Sequence, residues 1–154
     1  MTPDKNVQNK MWALGQNILI LLILFIPFNV SFSLPLIVRC LGALLVISGT
    51  MLFVFARKSL KRNMVVSPKP VAGGYLIQSG IYGIIRHPGY VGIFMASFGV
   101  SLWKHDLVRI ILSLCLLILF DVKTRIEESW LSKTYADYDQ YKIAVKKKFI
   151  PWIY

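Results

Sequence analysis

Acidic residues are scarce in this chain. Seven Asp and Glu stand against eighteen Lys and Arg in 154 residues, a formal net charge of +11. In a soluble protein that balance points to nucleic acid. Here charged residues are only 16% of the chain and hydrophobic residues 56%, more apolar than a soluble domain of this size. The excess of cations therefore reads as positive loops facing anionic lipid, and no nucleic-acid partner is expected. Histidine and cysteine are also sparse, two of each. Cys40 and Cys115 sit inside apolar runs, where they read as small core residues, with neither metal-like spacing nor a disulfide framework. No HxxxH pair, Cys cluster or P-loop is present, so the expectation is no metal and no phosphate transfer. Internal repeats and low-complexity segments are absent as well.

Charge is missing altogether between Lys10 and Arg39. Met11 to about Phe28 predicts a first spanning helix. No small-x-small cleavage signature follows it, so it reads as a retained anchor rather than a signal peptide. Pro27 and Pro35 break the chain on either side of an uncharged turn, and residues 34–56 predict a second span with Arg39 near its start, able to snorkel. A third apolar segment covers 88–103, with Pro88 suited to a helix's first turn. Lys104-His105-Asp106 is a minimal turn, and 107–122 is a fourth, short span. After Phe120 the pattern turns charged and aromatic without Pro or Gly, which predicts the fourth helix running on past the membrane and then a second amphipathic helix.

The expected fold class is thus an all-α integral membrane protein of about four transmembrane helices in one domain. A cytoplasmic connector (57–87) and a cytoplasmic C-terminal helix and tail (123–154) complete it. Orientation follows from Lys and Arg: two in the first ten residues, six in 57–86 and seven after Phe120, against none in the first turn and Lys104 alone in the second. Both termini and the connector are expected in the cytoplasm.

Two constellations carry candidate chemistry. The first is Arg86-His87-Pro88-Gly89-Tyr90-Val91-Gly92, preceded by Leu76-Ile77-Gln78-Ser79-Gly80-Ile81-Tyr82. A helix starting at Pro88 offers unpaired N–H groups and a positive dipole end to a carboxylate. Arg86 and His87 add donors, and Tyr82 and Tyr90 add aromatic faces for a cation. The set suits a zwitterion with a carboxylate, an amine and a positive centre, and the physics leaves its identity open. Read blandly, Arg86 is a positive-inside anchor and His87 an interface histidine. The second constellation is Arg125-Ile126-Glu127-Glu128-Ser129-Trp130-Leu131. Glu127 and Glu128 point about 100° apart on a helix and cannot share one role. The bland reading is a solvated face with i,i+4 pairs, Lys123 with Glu127 among them. Tyr135, Tyr138 and Tyr141 read as packing or interface anchoring, and Lys146-Lys147-Lys148 as a contact to anionic lipid.

In order and spacing these pieces resemble the integral-membrane methyltransferases typified by isoprenylcysteine carboxyl methyltransferase, to which phospholipid methyltransferases are related. The resemblance runs from about residue 65 to 152, ending in Ile150-Pro151. It departs from the family pattern in the tail, where Tyr135-Ala136-Asp137-Tyr138 is one residue short. It implies S-adenosylmethionine-dependent methyl transfer to a lipophilic or lipidated acceptor: an isoprenylcysteine-like carboxylate, a lipid amine or a thiol. It implies a cofactor surface of Gly74, Tyr75, Leu76, Ile77, Tyr82, His87, Pro88, Gly89, Tyr90 and Glu127. It also implies a catalytic role for Arg125 and Glu127, with Arg125 facing the substrate and Lys123 competing for that place. An NADPH-dependent reductase of sterol-reductase type is the alternative, but its R-H-P-N-Y-x-G-E form is broken here by Gly89 and Ile93. A non-enzymatic membrane adaptor is the third reading.

Overall fold

The computed structural model describes residues 5–27, 30, 32–60 and 76–149, with side chains from Lys10 onward. Five α-helices follow in order: α1 (Lys5–Phe25), α2 (Leu36–Leu60), α3 (Pro88–Trp103), α4 (Leu107–Thr134) and α5 (Tyr138–Ala144). A 3-10 turn at Gly80–Gly83 precedes α3, and no strand occurs among the described residues. Gly80 adopts a φ of 63°, a conformation that favours glycine there.

Helix limits differ from expectation mainly at α1 and α2. α1 starts before Met11 and ends at Phe25, two residues ahead of Pro27. α2 runs four residues past Ala56, so Arg57 and Lys58 belong to its last turn, where cations complement the helix dipole. α3 occupies 88–103 with Pro88 at its first turn, and α4 is unbroken from 107 to 134. Asp106 caps α4 by accepting from the Arg109 backbone N–H at 3.1 Å.

The outer faces are apolar, and inside them polar groups share the core with a hydrophobic cluster of Ile23, Leu116 and Phe120. Met11, Leu14, Ile18, Leu21 and Phe25 on α1, Ile37, Leu41, Leu44 and Met51 on α2, and Leu107, Ile111, Leu114 and Ile118 on α4 are exposed stripes at helical spacing. Ser97, Ser101, Arg109, Ser113, Lys123 and Thr124 are buried. Ser101 and Ser113 bond across α3 and α4 at 2.9 Å, and the Arg109 guanidinium donates to the Ile23 and Ile26 carbonyls at the end of α1. Ser101, Ser113 and the terminal nitrogens of Arg109 thus meet partners, while greasy surface faces outward in a way water would penalise. Cys40 and Cys115 lie on this outer surface rather than in the core, because both fall on the outward faces of their helices. Among the described residues, Leu36–Leu60 is the one helix long and apolar enough to cross a membrane; α1 and α3 are apolar but shorter.

α2 and α3 are joined by a glycine seam. A Cβ on Gly49 would stand 2.7 Å from the Gly92 carbonyl, and one on Gly92 would stand 2.6 Å from the Gly49 carbonyl. Gly42 and Gly99 repeat the relationship two turns away, at 2.8 and 2.5 Å. Only residues without a side chain allow this approach, which replaces hydrophobic driving force by close backbone packing. The seam fixes the start of α3, and with it the site.

Candidate active site

The site begins with a clasp at the end of the connector. The Arg86 Nε donates to Glu128 Oε1 at 2.9 Å, and its terminal nitrogen donates to the Val145 and Lys146 carbonyls at 2.7 Å each. His87 Nε2 lies 2.9 Å from the same Glu128 oxygen. The backbone N–H groups of Arg86 and His87 donate to the Lys147 and Lys148 carbonyls. All three side chains are buried. Burial alone pushes the Glu128 carboxyl up, but hydrogen bonds and charge from His87 and Arg86 outweigh it and hold the group down at about 2. Connector, α4 and C-terminal tail are therefore tied into one unit by a single buried carboxylate.

One turn along α3, Tyr90 donates from its hydroxyl to Glu127 Oε2 at 2.9 Å. Its ring packs on Phe120 with centroids 4.8 Å apart. Lys123 Nζ lies 5.2 Å from the centre of the Tyr90 ring and donates to Gln16 Oε1 of α1 at 2.6 Å. Lys123 is fully buried. Arg125 is placed differently: it is 66% exposed and pairs with Asp121 at 2.8 Å on the outer side of α4. Of the two cations weighed for the place facing a substrate, the inward one is Lys123.

The other expected cofactor residues fall into three groups. Gly74 and Tyr75 lie outside the described residues. Leu76 packs against Tyr138 and Tyr141, Ile77 is half-buried, and Tyr82 is buried with its carbonyl accepting from the Tyr141 hydroxyl at 2.7 Å. Pro88 is buried at the start of α3, and beside Gly89 the nearest atom among the described residues to an added Cβ would be Ala56 Cβ at 4.0 Å, which leaves room on that side of Gly89. Burial, chiefly, pushes the Tyr82 and Tyr138 phenols well up and takes Tyr141 to about 12, so all three remain protonated donors near neutrality. The Tyr138 hydroxyl is buried without a hydrogen-bond partner among the described residues. A donor in that state and the room beside Gly89 at the start of α3 fit a polar cofactor.

Sequence reasoning passed over Gln16 and the burial of Tyr138, and it named Glu128 without its buried partners Arg86 and His87. The 100° turn between the adjacent glutamates was the signal for Glu128: one of the pair must face the chain's interior. Gln16 carries no motif, and its only signal is to be a polar residue within an uncharged run. Lys148, read as a lipid contact, instead bonds Asp121 Oδ1 at 2.6 Å and is buried.

A sequence model of the phospholipid methyltransferase family matches residues 37–138, about two thirds of the chain. The chain belongs to this family. Within it, the chain is similar to the protein-S-isoprenylcysteine O-methyltransferase of Schizosaccharomyces pombe, 34% identical over 80 residues that cover 51% of this chain and 34% of that protein. It is likewise similar to the enzyme of the same name from Saccharomyces cerevisiae, 31% identical over 106 residues, 66% of this chain and 44% of the relative. The chain thus spans less than half the length of the curated relatives it matches. The structure of a eukaryotic intramembrane Ras methyltransferase, isoprenylcysteine carboxyl methyltransferase, shares the fold with a TM-score of 0.67 at 23% identity, over 99% of this chain and 55% of that one.

Proposed function

We propose that this methyltransferase-family protein is a multi-pass membrane enzyme that methylates an anionic group on a lipophilic acceptor, of the isoprenylcysteine carboxylate kind, using S-adenosylmethionine. The observation that carries the reading is the pairing of Tyr90 with Glu127 beside the inward Lys123, at one end of helices whose outer faces are apolar. The relatives' names support the acceptor class.

S-adenosylmethionine, when bound, supplies an electrophilic methyl group on a sulfonium. The chain's own residues then bind, orient and exclude water. The start of α3 beside Gly89 receives a carboxylate, and Glu127, held by Tyr90, receives an amine or hydroxyl donors. His87 is held in place by Glu128 and shapes the same wall. Lys123 presents its charge to the acceptor's oxygens, while Phe120 and Phe149 keep the neighbourhood dry. An ionised carboxylate needs no general base, so positioning is the main contribution. An ammonium acceptor would instead meet the like charge of Lys123 in a buried setting, which weighs against a lipid amine.

α1 to α4 each cross the bilayer in this reading, with both termini and the connector on the cytoplasmic side. At about 24 Å for a 16-residue helix, α3 is short for a core of about 30 Å and ends in the interface. The acceptor enters laterally from lipid. The test is incubation of the purified protein in nanodiscs with methyl-labelled S-adenosylmethionine, offered S-farnesylcysteine or phosphatidylethanolamine. A base-labile methyl ester on the first is expected. Label on the amine lipid, or on neither, would overturn the acceptor assignment.

A further inference from the structure

Two tyrosines one turn apart on α5 have opposite situations. Tyr141 is buried and its hydroxyl is satisfied by the Tyr82 carbonyl at 2.7 Å. Tyr138 is more deeply enclosed, 1% exposed, and its hydroxyl has no hydrogen-bond partner among the described residues. The rings lie 5.8 Å apart, so the contrast is not one of neighbourhood. A buried hydroxyl left unpaired is destabilising, and phenylalanine would fill the same space without that penalty. The hydroxyl therefore makes sense as a donor to something that arrives.

Its surroundings say what arrives. Tyr138 shares a buried cluster with Tyr141 and with Val145 of the tail, against which Leu76 of the connector and Leu131 of α4 pack. Glu128, Arg86 and Glu127 are the charges that act on its phenol, besides burial itself. It thus stands where the connector, the acidic pair of α4 and the tail meet, the segments that form the proposed cofactor wall. The sequence motif around it departs from its family's pattern, so no role comes to it by resemblance.

We propose that Tyr138 is a cofactor-positioning residue whose hydroxyl donates a hydrogen bond to an oxygen or nitrogen acceptor of the S-adenosyl ligand. This rests on the methyltransferase reading. Tyr138 would thereby bring α5, already fastened to the connector through Tyr141 and Tyr82, into the cofactor site.

The experiment compares Tyr138→Phe, Tyr141→Phe and the parent protein in nanodiscs, by calorimetric titration with S-adenosylhomocysteine and by thermal unfolding without ligand. Tyr138→Phe should bind about tenfold more weakly, the loss of one hydrogen bond, while its ligand-free midpoint stays level or rises. Tyr141→Phe should show a lowered ligand-free midpoint, because its bond is internal. Parent-like affinity in Tyr138→Phe would overturn the role of Tyr138 and leave the methyltransferase reading standing. A ligand-free midpoint lowered as in Tyr141→Phe would also overturn it, by showing an internal partner. Absence of binding in the parent protein would overturn both.

Discussion

Arg86 and Glu128, 42 residues apart, meet at 2.9 Å in a buried ion pair that also holds His87 and two carbonyls of the C-terminal tail. The adjacent Glu127 faces Tyr90 instead. Two neighbouring carboxylates thus take different partners: one fastens connector to tail, the other meets Tyr90 at the start of α3.

That division separates two substitutions. Glu128→Gln leaves the Arg86 charge buried without its partner, and breaking such pairs costs about 3–5 kcal/mol. Its thermal midpoint in nanodiscs should fall markedly. Glu127→Gln loses one hydrogen bond at a half-buried position, worth about 1 kcal/mol, and should unfold close to the parent while binding S-adenosylhomocysteine more weakly.

The same pair makes stability depend on acid. The Glu128 carboxyl is held at about 2 in the folded protein, below its ordinary value of 4.5. The unfolded chain therefore takes up the proton first. The contribution of Glu128 is present in full above about pH 4.5 and fades as pH falls through about 2. The stability gap between the parent and Glu128→Gln should shrink over that window, measured by denaturant unfolding at stepped pH. A gap that widens with acid would contradict the pairing.

How much of this was legible in the sequence depended on whether the signal was local. Pro88 and the Lys104-His105-Asp106 turn set the limits of α3, because a proline at a helix start and a polar turn between apolar runs act within a few residues. The Arg86–Tyr90 cluster and Glu127 stood out as costly groups at a membrane edge. The partners of Glu128 and Lys123, and the buried state of Tyr138, did not, since they come from residues 41, 42 and 107 positions away or from the absence of a partner among the described residues. Cys40 and Cys115 misled for a related reason: inside-versus-outside rules learned from water invert where the outer face is apolar.

The glycine seam offers a sharp steric contrast. Gly49→Ala would place a methyl 2.6 Å from the Ala96 backbone nitrogen, and α2 would have to leave α3. A loss of about 1–3 kcal/mol is expected, with weakened ligand binding because the start of α3 moves. Gly15→Ala meets, among the described residues, only Leu119 Cδ1 at 3.5 Å and gains helix propensity of about 1 kcal/mol, so its midpoint should hold or rise. Unfolding of both variants in the same detergent checks the difference.

Lys123 and Arg125 are two residues apart and should behave oppositely. Lys123→Met keeps the volume but takes the Lys123 donor from the buried Gln16 Oε1, so stability should fall by about 1–3 kcal/mol while turnover of an anionic acceptor falls at least tenfold. Arg125→Ala alters an exposed pair with Asp121, worth less than about 1 kcal/mol, and turnover should stay near that of the parent. Steady-state kinetics with S-farnesylcysteine distinguish them.

The most direct measurement is calorimetric titration of the purified protein in nanodiscs with S-adenosylhomocysteine and, separately, with NADPH. Saturable binding of S-adenosylhomocysteine, weakened in both Glu127→Ala and His87→Ala, and no binding of NADPH is the expected result. Binding of NADPH alone, or of neither ligand, would contradict a methyltransferase site at the start of α3.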